Sequence, residues 1–535
     1  MRYFLIVPLL LLLPTPLWAA DYYVCDDGTD CNAGDGSGWV TGNDGNACTS
    51  KSSPCLTISG GLDNLAAGDT LTIGDGTYTG TSNCINLNDT GYLDNAFADG
   101  TSGNEITIQA ENKYGVTIDG EGVRRPWAIG QVDYVEMRGI IFYNSSNDVF
   151  YCHTCEHYKV IDCLIYEGGG DSGIATFYRG RYNLFEGCAA WGQGRYGFYI
   201  YGGYEMTSPA YTIVRRCVAR LDTDNAGRPK AAFSTYYTDE GNGTSHVYLQ
   251  NCIAIDCLPF PAGGDRQFGA GWYAPNGTND IVVDSSIFLN VDGYSLEVDD
   301  GSTEIEISNS VVWDTKATYA GMSAFLYGTT TGTTLDGLTI GESAGTHIRF
   351  ASNSDSVTNS IIYNATSIGL YVTNSADVTT DYNVYYGNTT DFDGDTDGAN
   401  DYCAANSNAI DPTSNGLLYL PRIEAGSTLK TAGSGGAQIG AEIMYELGTA
   451  ETLYGETGWN TLGSTELWPW KNEETIRTYM RAYSLHSIDG TRGFCATGET
   501  LTKYIWEYLG NTIPTEIYGN PAAITGCTIS GGTVQ

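Results

Sequence analysis

The stretch Leu221-Asp222-Thr223-Asp224-Asn225-Ala226-Gly227-Arg228-Pro229-Lys230 crowds two carboxylates and two positive charges into one short segment. Asp222 and Asp224, with the amide of Asn225, offer the hard oxygens that Ca²⁺ takes. Arg228 and Lys230 can neutralise the carboxylate of a uronic acid and remove the proton next to it. A charge sink paired with a base is what eliminative cleavage of a uronide requires. The plainer reading of the same residues is a solvated Asx turn. The sequence therefore nominates Lys230 and Arg228 as the catalytic pair and Asp222 and Asp224 as Ca²⁺ ligands.

The neighbourhood strengthens that nomination. Arg179, Arg181, Arg195, Arg215, Arg216, Arg220, Arg228 and Lys230 fall in one stretch with only four acids, Glu186, Glu205, Asp222 and Asp224, in a chain whose net charge is −38. Arginine suits bidentate binding of carboxylate or sulfate. The competing reading is that residues such as Arg215 and Arg216 flank strands and pair with nearby acids. The same stretch is rich in aromatics. In a strand, successive side chains alternate faces. Placing Ile174, Phe198, Phe233, Ala270 and Tyr294 inward puts Phe177, Tyr201, Tyr236, Tyr273 and Glu297 in one outward column, with Tyr199 and Tyr237 beside it. Four stacked rings span about 14 Å at strand spacing and give sugar rings a flat surface with phenol tips for hydroxyls. Arg195 would stand at the edge of that surface. Because 39 tyrosines are spread over the chain, ordinary strand preference is the competing explanation.

Other constellations are weaker. Asp239/Glu240 and Asp299/Asp300, with Glu297, would supply the two carboxylates of a glycoside hydrolase, but acidic turn residues are common here. Cys152-His153-Thr154-Cys155-Glu156-His157 has local zinc spacing, although a disulfide or a turn fits an exported chain better. None of the five histidines, His153, His157, His246, His347 and His486, sits in a recognisable triad.

The elements that must hold these residues are written as a repeat. Val160-Ile161-Asp162-Cys163, Phe185-Glu186-Gly187-Cys188, Val214-Arg215-Arg216-Cys217 and Leu249-Gln250-Asn251-Cys252 each end an apolar alternation on a small residue. Val283-Asp284-Ser285-Ser286 and Ile307-Ser308-Asn309-Ser310 continue the series with serine, at steps of 25, 29, 35, 34 and 24 residues. A drifting period of that size, on β-type alternation with Gly, Asn and Asp turns, predicts a coil that stacks on itself. Equivalent residues then lie about 4.8 Å apart, so the Cys/Ser series should be a buried packing ladder, where thiols act as small hydrophobes. From 130 to 387 each coil divides into two visible strands. One precedes the ladder. The other is Gly173–Tyr178, Gly197–Tyr201, Ala232–Tyr237, Gly269–Tyr273, Gly293–Val298, Ala324–Tyr327 and Gly369–Thr373.

The N-terminal part adds a resemblance. Asp21-Tyr22-Tyr23-Val24 reads as a strand, Ile58 to Leu65 as a short helix, and Gly68-Asp69-Thr70 through Gly76-Thr77-Tyr78 as a turn and two strands. Together they resemble the opening of the pectin-lyase-like, right-handed parallel β-helix superfamily, in which a short helix plugs the open end. The resemblance covers roughly residues 21–440 and implies an all-β solenoid. It also brings the expectation of a polysaccharide lyase, because lyases of that superfamily work by the elimination described above, often with Ca²⁺. The superfamily's polygalacturonase patterns Gly-His-Gly and Arg-Ile-Lys are absent, as are the Trp-Ile-Asp-His and Arg-x-Pro-x-x-Arg patterns of extracellular pectate lyases. No active site carries over residue by residue.

Bulk properties set the remaining bounds. Arg2, the apolar run Leu5 to Leu13 and the small residues at Ala19-Ala20 read as a secretory signal peptide, too short and proline-broken for a membrane span. Fifteen cysteines suit an oxidising compartment. Cys25, Cys31, Cys48 and Cys55 are the best disulfide candidates, and Cys495 with Cys527 would close the C-terminus. The strongly acidic balance disfavours nucleic acid and anionic membranes. The expected organisation is a signal peptide at 1–20, a cap and first coils at 21–120, the β-helix at 121–447, and a C-terminal cap or docking module at 448–535. The expected product is a secreted monomer that binds an acidic polysaccharide along Phe177–Tyr273 and cleaves it by β-elimination. The alternatives are a non-catalytic surface or adhesion protein and a glycoside hydrolase.

Overall fold

The computed structural model describes residues 19–518 except 33–37, 87–91, 170–172, 203–209, 223–230, 237–245, 258–269, 275–277, 299–301, 317–322, 328–331, 351–353, 374–377, 395–396 and 484–488. The signal-peptide reading of 1–20 thus falls almost wholly outside the described residues. Among those residues, no helix is long and apolar enough to cross a membrane.

Each coil contributes a strand to each of three parallel sheets, of 13, 12 and 12 strands, and strands of one sheet follow one another in coil order. The molecule is an all-β parallel β-helix. The first sheet runs from Asp21–Val24 to Val378–Asp381, the second from Gly76–Tyr78 to Val384–Tyr386, and the third from Leu93–Asp94 to Thr390–Asp393. Two strands per coil were legible in the sequence. The third is the short second-sheet strand, such as Leu164–Tyr166 or Val218–Leu221. It follows the ladder residue with no intervening loop, so it reads as one alternation with the strand before it.

The corner between first and second sheets explains the repeat. The residue before each ladder position is left-handed, with φ of 53° at Asp162, 50° at Arg216, 51° at Asn251, 53° at Ser285, 45° at Asn309 and 50° at Asn359. Asn and Asp tolerate this conformation best among residues with a side chain. Gly187 takes it at φ 65°, and a Cβ there would come within 2.4 Å of the Asp162 carboxylate. The chain then turns sharply and points the next residue inward. Cys163, Cys188, Cys217 and Cys252 are buried and free, as the packing reading expects. The serines do more: Ser286 Oγ accepts from the Cys252 amide at 3.0 Å, and Ser310 Oγ from the Ser286 amide at 3.0 Å. Ser360 and Asn383 extend the ladder, each accepting from the coil before at 3.0 Å.

The interior is one continuous apolar core, with Phe142, Phe150, Phe177, Phe185, Phe198 and Phe233 at its centre. The N-terminal helix is Ile58–Leu62, capped by Thr57 and packed on the first strands. Disulfides join Cys25–Cys31, Cys48–Cys55 and Cys152–Cys155. Cys495 is a buried free thiol, and Cys527 lies outside the described residues.

The C-terminal part, expected as a cap or a docking module, is packed against the coils. It runs beside the solenoid and covers the outer face of the second sheet. Trp191, Val218, Ile253, Leu289 and Trp313 share an apolar cluster with Leu417, Trp468, Trp470, Met480, Phe494 and Trp506. Second-sheet strands are therefore buried on both faces and read as continuous apolar runs. The helices are Glu473–Ala482 and Leu501–Trp506. Ala437–Ala441 forms no strand; its backbone bonds to Leu429 and to Asn359 of the solenoid.

Candidate functional site

The outer face of the third sheet carries two adjacent columns of large polar aromatics. Strand register aligns Tyr151, Thr176, Tyr199, Ser234, Tyr273 and Glu297 in one column, and His153, Tyr178, Tyr201 and Tyr236 in the other. Ring centroids are 4.6 Å apart for Tyr178–Tyr201, 5.4 Å for Tyr201–Tyr236 and 5.5 Å for Tyr199–Tyr201. Tyr178, Tyr199, Tyr201 and Tyr236 are half-buried, while Tyr196 and Tyr273 are buried. The His153 ring is sandwiched between Tyr92 at 4.2 Å and Tyr178 at 5.1 Å, both nearly parallel. Burial, and secondarily the charge of Arg179, lowers its pKa, so the ring is neutral.

Guanidinium groups stand over three of these rings: Arg125 over Tyr151 at 4.8 Å, Arg179 over Tyr178 at 5.3 Å and Arg195 over Tyr196 at 5.3 Å. Arg125 also pairs with Asp148 at 2.9 Å, whose carboxyl burial pushes up. The surface is an aromatic strip with positive charge along it, its rings tilted by 53° between Tyr178 and Tyr201 and 49° between Tyr201 and Tyr236. Such a strip can stack sugar rings and bind carboxylate substituents.

Most of the expected binding residues meet here, with two changes. Phe177 faces the interior, only 1% exposed and 4.3 Å from the Phe185 ring, so it is not a surface residue. The structure pairs Ala175, not Ile174, with Phe198, and a slip of one residue turns side chains to the opposite face. Tyr178 takes the place expected for Phe177. Tyr273 is outward but pairs with Ser234, not Tyr236, so it lengthens the Tyr199 column. Glu297 lies beside Tyr273 and is buried. Tyr237, Arg228, Lys230 and Asp224 lie outside the described residues, as do Asp239, Glu240, Asp299 and Asp300.

Asp222 is elsewhere. It is fully buried under the C-terminal segment, where one carboxylate oxygen accepts from Arg220 Nε at 2.9 Å and the other pairs with Arg492. Its oxygens are taken by two arginines, so it does not fit the expected Ca²⁺ ligand. Among the described residues no group of three His, Cys, Asp or Glu could hold a metal ion.

The basic island divides along the same line. Arg215 donates to Gln250 at 2.8 Å and to the carbonyls of Thr449 and Trp459 at 2.7 and 2.8 Å. Arg216 pairs with Glu186 and donates to the carbonyls of Leu447 and Gly448. Arg220 donates to the Met480 carbonyl at 3.0 Å, and Arg181 to Glu156 at 2.8 Å. Three of these arginines are the socket for the C-terminal segment. Only Arg179 and Arg195, among the described members, stand on the aromatic strip.

Sequence reasoning missed Tyr92, His153, Tyr178 and Arg125. The zinc-like spacing that drew attention to His153 is a Cys152–Cys155 disulfide. Its two histidines enter separate ring stacks. His157 lies between Tyr134 and Tyr182 at 4.3 and 5.0 Å, in a corner column that continues through Tyr211 to His246 and is overlaid by Tyr454.

Fold and surface thus define a parallel β-helix with an aromatic, arginine-bearing strip on one sheet. No protein-family model matches the sequence, and no curated protein matches it. Among solved structures, the chain is similar to a pectate lyase, Pel9A, at 15% identity, covering 79% of this chain and 96% of that one with a TM-score of 0.46. It is also similar to a rhamnogalacturonan lyase, at 14% identity over 76% and 94% of the two chains with a TM-score of 0.38. A third is an alginate lyase from Paenibacillus sp. str. FPU-7, at 12% identity over 62% and 96% with a TM-score of 0.38.

Proposed function

We propose that this is an exported carbohydrate-active protein that binds an acidic polysaccharide along the third-sheet strip and cleaves it by β-elimination. The observation that carries the reading is the group of half-buried tyrosines Tyr178, Tyr199, Tyr201 and Tyr236 on adjacent strands, with Arg179 over the Tyr178 ring and Arg195 over the neighbouring Tyr196 ring. Sugar rings stack on the tyrosines, and the arginines compensate uronic carboxylates in a chain that would otherwise repel them. The leader-like N-terminus and three disulfides support export.

Lys230 is one residue before Ala231, which opens the strand bearing Ser234 and Tyr236 and bonds to the Arg195 carbonyl. In the proposed reaction Lys230, or Arg228, takes the proton next to the uronic carboxylate while Arg195 holds the carboxylate. The freed electron pair forms a carbon–carbon double bond as the glycosidic carbon–oxygen bond breaks, and the leaving oxygen is protonated. No step is assigned to Ca²⁺, because Asp222 is committed to Arg220 and Arg492.

The test incubates purified protein with a panel of uronic-acid polysaccharides, with Ca²⁺ and with chelator, and follows the ultraviolet absorbance of unsaturated ends. Absorbance should grow, should vanish in Lys230→Ala, and should survive chelation. Tyr201→Ala with Tyr236→Ala should weaken binding several-fold per lost ring contact, because each tyrosine offers a large apolar face to a sugar ring. Binding without unsaturated or reducing ends would leave the adhesion reading. Absence of binding would remove both.

A further inference from the structure

On the opposite flank, where the C-terminal segment meets the first-to-second-sheet corner, the structure encloses a pocket of about 180 Å³. Its apolar wall is Ile161, Leu467 and Trp470. Its polar wall is Arg138, Arg216 and Lys471 facing Asp162, Glu186, Glu446 and Glu451. The charges are already matched. Arg138 binds Glu451 through two nitrogens at 2.8 and 2.6 Å. Arg216 pairs with Glu186 and lies 3.7 Å from Glu446, and Lys471 lies 3.6 Å from Asp162.

With Lys113 also on Asp162 and Arg215 on Glu186, every charged group of the wall already has a partner, so neither an anionic nor a cationic ligand finds a free counter-charge. An uncharged polyhydroxyl ring needs none. Its hydroxyls donate to carboxylate oxygens and accept from guanidinium and ammonium N–H groups, leaving every ion pair intact. Its C–H face packs on Trp470 and Leu467. The space falls below the ~300–1,000 Å³ of pockets for drug-sized ligands, which limits the occupant to a single ring. We propose that this pocket is a second carbohydrate site, specific for one uncharged sugar residue, free or at the end of a glycan. It is separate from the tyrosine strip and does not depend on the lyase reading.

The experiment is saturation-transfer NMR and calorimetry on the full chain with glucose, galactose, mannose, xylose and rhamnose, and with glucuronate as the anionic comparison. At least one uncharged sugar should bind and glucuronate should not. Ala450→Trp, at the exposed mouth of the pocket, should abolish binding while leaving the melting temperature unchanged. Glu446→Gln should weaken it roughly tenfold, the loss of one charge-assisted hydrogen bond. Tyr201→Ala with Tyr236→Ala, on the other face, should leave it intact. Methyl glycosides and short oligosaccharides with the same terminal residue then separate free sugar from chain end. Failure of every uncharged sugar to bind, stronger binding of glucuronate, or binding that survives Ala450→Trp would overturn the proposal.

Discussion

At the scale of single residues, two buried groups have consequences that can be measured. His347 is fully buried, and its Nε2–H donates to the Tyr363 carbonyl at 2.7 Å, while Nδ1 has no partner. Burial pushes its pKa from 6.5 down to about 4. Between those values the unfolded chain binds a proton that the folded chain refuses. Stability therefore falls as pH drops from about 6.5 to about 4 and changes no further on this account below that. The loss is about 3 kcal/mol at ~1.4 kcal/mol per pKa unit. His347→Gln keeps a donor and removes the titration, so the urea midpoint of the variant should rise relative to that of wild type as pH falls from about 6.5 to about 4. Parallel pH curves would contradict this. Arg220 is the second case. Arg220→Met leaves Asp222 with Arg492 alone and the Met480 carbonyl with only the Tyr483 amide. The expected cost is about 3–5 kcal/mol, with faster proteolysis after residue 447 and no change on chelation. A variant that instead lost Ca²⁺-dependent melting behaviour would restore the metal reading of Asp222.

At the scale of elements, the ladder was legible because one geometric demand recurs in every coil. A left-handed corner wants Asn, Asp or Gly, and the inward residue after it must be small. Parity on the third sheet was not legible. Ile174 and Ala175 are adjacent and both buried in the core, so strict alternation fails there, and Phe177 was placed on the wrong face. The tyrosine strip survived the error because Tyr178 follows Phe177. The ladder also makes a graded prediction. Ser286 Oγ accepts from the Cys252 amide and donates to the Asp284 carbonyl. Ser286→Ala leaves a buried amide unsatisfied and should cost about 1–3 kcal/mol. Cys217→Ala removes chiefly packing volume from an interior that relaxes only in part. It should give a dry cavity and lose only the weak bonds of a thiol, such as that to the Arg215 carbonyl at 3.3 Å, so chemical denaturation of the two variants should rank the serine as the costlier loss.

At the scale of the whole molecule, the solenoid is incomplete without its C-terminal segment. The sequence marked a separate C-terminal part but not its place, because its anchors are backbone carbonyls more than two hundred residues from the arginines that bind them. Arg216 and the Leu447 carbonyl are 231 positions apart, and no local pattern encodes such a pair. The basic island, read as a ligand site, is in large part the record of this docking. A cap at the solenoid's end would leave mid-solenoid coils indifferent to its removal. A cover over the second sheet would not. Ending the chain at Asp411 should expose Leu164, Trp191, Val218, Ile253, Ile287 and Trp313 as one apolar face. It should also expose the guanidinium groups of Arg215 and Arg220, whose carbonyl partners lie on the removed segment. A contiguous exposed apolar patch of that extent is unusual on a soluble monomer. The shortened chain should therefore bind an apolar dye and associate in sedimentation at concentrations where the full chain does not. Restoring residues 412–518 as a separate polypeptide should reverse both. A shortened chain that stays monomeric and melts like the full one would show that the second sheet needs no cover, and the segment would then be a passenger on the coils.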